Sequence, residues 1–493
     1  MNKWLRLSLV WGIPAVVVTL FAALMLTNGN LFAFFDHNTW GSKLYANIWE
    51  HLLHGNSLID PQYAPGEYFL VGANQMVTYF GAMPVVVRAI ADIFLPNVYD
   101  VNLANLSMVL ALLLALGSVW YAVQRLAHGS RNLLLLGAAI VLAILFASPV
   151  GYLFVWGWTY HEVIMWGVAW ALLFTSVFTM WVFDYAAATR WHGVLMGLAV
   201  GMAMLSRPTI GLMLAVPFAF VCVRAALHKF RHNNGREFRL LLPGAMVCAV
   251  LGLAVAGINY QRWGNPFAFV KIDRNVQFIE LYPERGEAIR TAGEFNINRI
   301  GSSLFYYSVP SAGNVSKQFP FVTLDSELDA FNQVAQYDYI EGSRLPITLS
   351  MPLLLVFAGY GVWALTRLKP HERRASYWLL AGAACTFVAL LAVYATALRY
   401  TAELVPVFVF LGLVYLVGLQ RGVVSRPSKK TLVAFAVTAC VSLYITFVTA
   451  VAYKQFVWDV PANVRAQAQQ FIHYMPTDRD TKHIINGKRF PVY

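Results

Sequence analysis

Charged residues make up only 12% of this 493-residue chain, against 59% hydrophobic residues. A soluble globular protein carries about a quarter charged residues, so that class is excluded. The mean hydropathy of +0.57 instead points to an all-α membrane protein with many spans. Acids are the scarcer sign, with 24 Asp and Glu against 36 Lys and Arg, for a net charge of +12. Cysteine is nearly absent. The four cysteines, Cys222, Cys248, Cys385 and Cys440, lie within or at the ends of apolar runs. They give no basis for a disulfide framework or a cysteine-bound metal. His51 and His54 stand at a ligand-like spacing, but no third ligand accompanies them, and a solvated helix face accounts for both.

Eleven stretches read as membrane spans: 9–27, 103–124, 133–149, 162–182, 193–206, 209–223, 240–258, 347–366, 376–395, 402–419 and 431–452. The fifth and sixth are short and suit a hairpin that does not fully cross. The first run has no small-residue cleavage site after it, so the expectation is a retained anchor, with Lys3 and Arg6 holding the N-terminus in the cytoplasm. Charge supports this threading. The segments it places inside hold 18 Lys or Arg and three acids, for +15, while the remainder sums to −3. Such a positive-inside bias explains the basic pI without a nucleic-acid partner.

The chain then divides into a transmembrane unit over 1–452, with outer loops at 28–102 and 259–346, and an outer tail at 453–493. The 259–346 loop is too long for a plain connection and reads as a cap of short helices. The 28–102 loop carries two amphipathic stretches that read as juxtamembrane helices. In the first, Trp40, Leu44, Tyr45, Ile48, Trp49 and Leu52 share one face, with Lys43, Asn47, Glu50, His51 and His54 on the polar side. The second runs from Pro84 to Phe94 and sets Arg88 and Asp92 four apart, a spacing at which they pair.

Ionisable residues at the ends of spans are functional candidates. Asp36 closes the first span, His161 and Glu162 open the fourth, Arg207 precedes Pro208 at the turn between the fifth and sixth, and Arg399, Tyr400 and Glu403 open the tenth. The threading puts all of them on the outer side. Arginines and carboxylates at headgroup depth suit a site that holds a lipid-linked anion and activates a hydroxyl. Plainer accounts exist for each: Asp36 as a helix cap, His161 and Glu162 as a satisfied polar pair, and the arginines snorkelling to headgroups.

These residues sit within a series of short motifs. The segment Gly66 to Arg88 holds Glu67, Tyr79-Phe80-Gly81, Pro84 and Arg88. Tyr160-His161-Glu162 with Trp166 follows, then Ser206-Arg207-Pro208-Thr209, Asn259 to Phe267, and Arg399-Tyr400 with Glu403 and Pro406. In this order the series resembles the GT-C class of polyprenyl-phosphate-sugar glycosyltransferases, in particular the bacterial group related to protein mannosyltransferases, over residues 1–420. The resemblance implies transfer of a sugar from a polyprenyl-phosphate carrier to an envelope glycan or lipid, at the outer face of a bacterial inner membrane. It matches the catalytic base to Asp36. Many members carry adjacent acids there, whereas Asp36 is followed by His37, so Glu67 and Glu162 stay open for that role. Arg207, Arg399 and Arg88 would hold the donor phosphate, and His161, Tyr79 and Tyr400 would shape the sugar or acceptor site. No cofactor or nucleotide site is required, because lipid phosphate is already a good leaving group; a divalent metal stays open. The other readings of the same plan are a flippase or carrier of lipid-linked sugars and an envelope polysaccharide polymerase.

Overall fold

The computed structural model describes residues 3–27, 29–35, 42–60, 63, 68–72, 75–95, 101–155, 157–232, 235–270, 275, 283–311, 314, 321–322, 339–340, 345–456, 483–485 and 488–490. Helix α1 (Lys3–Leu26) is followed by α2 (Leu44–Leu53), a hairpin of β1 (Phe69–Gly72) and β2 (Gln75–Val77), and α3 (Met83–Asp92). The bundle continues through α4 (Ala104–Ala127), α5 (Arg131–Phe146), the single turn α6 (Val150–Leu153), α7 (Thr159–Phe183), α8 (Arg190–Ser206), α9 (Pro208–His232) and α10 (Arg236–Trp263). Short helices α11 (Pro283–Ala292), α12 (Arg299–Ser308) and α13 (Ile347–Ser350) follow, and α14 (Pro352–Arg367), α15 (Pro370–Ala392), α16 (Val405–Gln420) and α17 (Lys429–Phe456) complete it.

Each of the eleven apolar stretches overlaps one of the long helices α1, α4, α5, α7–α10 and α14–α17. Among the described residues, seven of these are long and apolar enough to cross a membrane: α4, α7, α9, α10, α15, α16 with the turn before it, and α17. Part of α1, with α5 and α14, forms a shorter apolar group. Several boundaries differ from expectation, among them the ends of α9 and α10. Helix α9 does not stop near residue 223 but runs on to a last turn carrying Lys229, Arg231 and His232, where cations complement the helix C-terminus. Helix α10 continues past residue 258 to Trp263, so Arg262 lies on a helix rather than in a loop.

Helix α7 is the buried axis of the bundle, whereas α10 turns Met246, Val250 and Leu253 outward, as a lipid-facing helix does. Lipid tails are as apolar as leucine, so helices associate there through close packing of small residues. Helix α8 shows this. Gly193, Gly197 and Gly201 recur every four residues along its contact with α10, and a side chain at Gly197 would overlap the Gly244 carbonyl.

Polar contacts sort the two ends. At one, Arg125 pairs with Asp184 (3.1 Å), Arg224 with Glu237 (3.0 Å) and Arg421 with Glu372 (2.7 Å). At the other, the first long loop folds over the bundle. Asn105 of α4 donates to the Phe34 carbonyl (2.9 Å), Tyr45 of α2 to the Thr159 carbonyl (3.0 Å), and Arg262 of α10 to the Phe80 carbonyl (2.9 Å). The cap stretch reaches the same end. Arg299 of α12 donates to the Ala392 carbonyl, and Tyr339–Ile340 pairs in parallel with Ala395–Thr396.

Candidate functional site

The site end begins with a broken helix. Proline restricts the residue before it to extended backbone, and Arg207 obeys, with φ −139° and ψ 109°, closing α8 while Pro208 opens α9. Its guanidinium is thereby thrown between two helices. Gly81 marks how tightly the first loop is pressed there, since a side chain at that position would overlap the last carbonyls of α8, at Leu205 and Ser206.

Facing Arg207 is the 3₁₀ turn Leu398–Leu404, which leads into α16 with Pro406 in its first turn. Glu403 on this turn is fully buried. It accepts from Arg207 Nε (2.8 Å), Arg207 Nη2 (2.6 Å) and the Thr209 hydroxyl (2.7 Å). An arginine fork and a hydroxyl on one carboxylate make a strong charge-assisted set. Tyr400 adds a second layer: the Arg207 guanidinium lies 5.2 Å from its ring centre and the Arg399 guanidinium 5.4 Å, with Arg399 also 4.8 Å from the ring of Tyr160. Two cations thus share one aromatic ring, an arrangement that concentrates positive charge where water is scarce.

A second buried pair lies nearby. Arg88 and Glu162 are each about 1% exposed and joined by two bonds, Arg88 Nη1 to Oε1 and Nη2 to Oε2, the latter at 3.0 Å. This corrects the expected Arg88–Asp92 pair. Asp92 instead accepts from the Trp49 indole (3.1 Å), which ties α3 to α2. Nor is α3 a plain surface helix, because Val85, Val87 and Arg88 all face inward. On α2, Asn47 turns out buried rather than on the wet side, exchanging hydrogen bonds with Asp60. Tyr45 packs under Arg88, 5.4 Å from guanidinium to ring. Burial, with the nearby Glu162 charge adding to it, pushes the Tyr45 hydroxyl well above its usual range, so it stays protonated and donating.

Arg207 also lines a cavity of about 140 Å³. Its polar wall includes Tyr79, Arg207, Asn259 and Arg262, and its apolar wall includes Val255 and Ile258 of α10. Tyr79 stacks on Phe80 at 4.7 Å. Arg262 is 5% exposed; its Nη1 serves the Phe80 carbonyl, and its Nε–H meets no acceptor among the described residues. Among those residues no three His, Cys, Asp or Glu side chains cluster as metal ligands.

The structure therefore brings Arg207, Tyr400, Arg399 and Tyr79 to one end of the bundle, and Glu162 with Arg88 beside them. His161 is buried there too, its ring centre 5.6 Å from that of Trp158. Asp36 and Glu67 lie outside the described residues. Arg262 was not among the sequence candidates. The signal for it was present in the Asn259–Phe267 motif, but a span ending at 258 left it looking like a loop residue.

The chain aligns with three solved structures. An ArnT from Cupriavidus metallidurans bound to undecaprenyl phosphate matches at 15% identity and TM-score 0.45, over 94% of this chain and 73% of that one. The same ArnT in its apo state matches at 14% identity and TM-score 0.40, over 96% of this chain and 78% of that one. An oligosaccharyltransferase from Archaeoglobus fulgidus, tethered to an acceptor peptide, matches at 14% identity and TM-score 0.48, over 96% of this chain. This chain spans 60% of that enzyme's length. No protein-family model and no curated protein sequence matches. At these identities and TM-scores, the roles of individual residues here follow from their own contacts.

Proposed function

We propose that this chain is an integral membrane glycosyltransferase of the GT-C class, moving a sugar from a polyprenyl-phosphate carrier to an envelope glycan or lipid. One observation carries the reading: Arg207, Arg399 and Tyr400 are gathered at one end of an apolar helix bundle, beside a cavity with a polar and an apolar wall. A lipid-linked anion needs both at once. Arg207 and Arg399 hold the carrier phosphate and neutralise the charge that grows as the sugar–phosphate bond breaks. The acceptor hydroxyl attacks the anomeric carbon, its proton passes to a carboxylate, and the bonding pair leaves with the carrier phosphate. Glu162 is a poor base here, because both its oxygens are engaged by Arg88 and it is buried. Asp36 and Glu67 are then the candidates, with Asp36 first by its position after α1.

The test is transfer from labelled polyprenyl-phosphate sugars to envelope extract by purified protein, comparing wild type with Asp36→Asn, Glu67→Gln and Glu162→Gln. Loss of a general base lowers the rate by about 10²–10⁴-fold, and that loss is expected in Asp36→Asn. If wild type binds lipid-linked sugars but transfers none, the enzyme reading falls and the carrier reading replaces it.

A further inference from the structure

At the end of the bundle away from the site, the start of α8, the end of α9 and the start of α10 meet in a face that carries charge of one sign. A side chain at Gly193 of α8 would overlap the Leu240 carbonyl of α10, and Arg224 of α9 pairs with Glu237 of α10 (3.0 Å). The Lys229 ammonium lies 4.4 Å from the ring centre of Phe238, and the Arg236 guanidinium 5.6 Å from that of Tyr185, just before α8. Arg190, Lys229, Arg231, Arg236 and Arg239 are all exposed here. The two nearby carboxylates, Asp184 and Glu237, are already held by Arg125 (3.1 Å) and Arg224.

Water alone accounts for exposed cations, but not for the large apolar side chains set among them. Phe230 is 81% exposed between Lys229 and Arg231, and Trp191 is 60% exposed with the Arg190 guanidinium 5.7 Å from its ring. Phe230 also ends a stripe: Leu212, Val223, Leu227 and Phe230 are exposed at helical spacing along α9, so one outward apolar face runs from the span into the basic turn. The 25 residues of α9 reach about 37 Å, against a hydrocarbon core of about 30 Å, which leaves the last turn at headgroup depth. A basic face with aromatic side chains at that depth complements an anionic lipid surface.

We propose that this face binds the headgroups of anionic phospholipids, in the leaflet that the threading assigns to the cytoplasm. Lys229 and Arg231 supply its main charges, and Phe230 inserts below the headgroups. The proposal does not depend on sugar transfer, and its surface is separate from the arginines of the site. Headgroups bound here bridge α8, α9 and α10 at one end, the same three helices that close the site at the other.

The test is titration of the purified full-length protein in neutral detergent with phosphatidylglycerol and phosphatidylcholine of identical chains, bound lipid being counted by native mass spectrometry. Wild type is compared with Lys229→Gln/Arg231→Gln and Phe230→Ser. Lys429→Gln/Lys430→Gln makes the same change of charge on the same side, but on α17, which packs against α5 and α14. Wild type should prefer phosphatidylglycerol. One basic residue at an anionic surface is worth about fivefold in affinity, so Lys229→Gln/Arg231→Gln should weaken phosphatidylglycerol by about tenfold to thirtyfold and leave phosphatidylcholine unchanged. Phe230→Ser should weaken both lipids alike, because insertion does not read charge, and Lys429→Gln/Lys430→Gln should change neither. Equal binding of the two lipids by wild type overturns the proposal. So does an equal loss in the two double variants, since the preference would then come from the overall charge of that side. Heparin serves as a soluble polyanion: binding of heparin through Lys229 and Arg231 without a preference for phosphatidylglycerol makes the partner a soluble acidic one and overturns the lipid assignment. Should Lys229→Gln/Arg231→Gln not fold, the single exposed change Arg231→Gln decides, with a loss of about fivefold expected and an unchanged affinity refuting it.

Discussion

Removing one partner of the Arg88–Glu162 pair should be far worse than removing both. Each side chain is about 1% exposed, and the two are joined by two hydrogen bonds. Arg88→Met leaves a buried carboxylate without its cation, and Glu162→Gln leaves a buried guanidinium without its anion. Either loss costs about 3–5 kcal/mol, whereas replacing a buried pair by apolar groups of similar volume is often neutral. With about 2.1 cal/mol/K of unfolding entropy per residue, 493 residues give about 1 kcal/mol/K, so each single variant should melt about 3–5 °C lower. Arg88→Met/Glu162→Met together should recover most of that. The assay is thermal unfolding of wild type, both single variants and the double variant in one detergent, with sugar transfer measured on the same samples. The pair ties α3 to α7, and α3 follows directly on the Tyr79–Gly81 wall of the cavity. Surviving enzyme in the single variants should therefore show a raised KM with a smaller change in kcat. A double variant as unstable as the worse single variant would refute the reasoning, because the penalty would then come from lost packing and not from an orphaned charge.

Glu403→Gln should leave the partly buried Arg207 without its counter-charge and Thr209 with a weaker acceptor; the expected results are a lower melting temperature and an altered KM for the carrier-linked sugar, read by titrating the donor. Gly197→Leu should drive a side chain into the Gly244 backbone where α8 crosses α10 and cost at least the ~1–3 kcal/mol of overpacking, seen as a loss of folded protein on size exclusion, whereas leucine at the outward-facing Gly252, where nothing stands in the way, should be tolerated. Tyr45 gives a pH signature. Its hydroxyl holds its proton more tightly in the folded state, so its contribution is fully present below the ordinary tyrosine pKa of about 10 and is lost as pH rises through and beyond that range. A melting curve series from neutral to alkaline pH should show this extra alkaline loss in wild type and a smaller one in Tyr45→Phe, which lacks the bond to the Thr159 carbonyl from the start.

Helix positions were legible because each is set locally, by an apolar run and what interrupts it. Arg207-Pro208 is the clearest case: one residue pair dictates an extended kink, and the kink aims the guanidinium. The hairpin Phe69–Val77 was not legible, since its short apolar run gives little periodicity to distinguish strand from link. The gathering of Arg207, Arg399 and Tyr400 at one end could be read from the threading alone, because alternation of spans decides which ends meet.

Pairing was a different matter, and Arg88 shows why. On a helix seen by itself, Asp92 is its natural partner, but such a pair contributes only about 0.2–0.5 kcal/mol in water. Once α3 packs against α7, Arg88 loses its solvent, and the half-buried carboxylate four residues away is taken by Trp49 instead; a carboxylate buried at the same depth, 74 residues further on, compensates it. The stronger force is thus the one that exists only after folding, so sequence spacing names a partner for the unburied side chain and misses the one that burial selects. The same logic hides Arg262. Its distinction lies in meeting a backbone carbonyl and no carboxylate among the described residues once it is buried, a property that no local window of sequence can display.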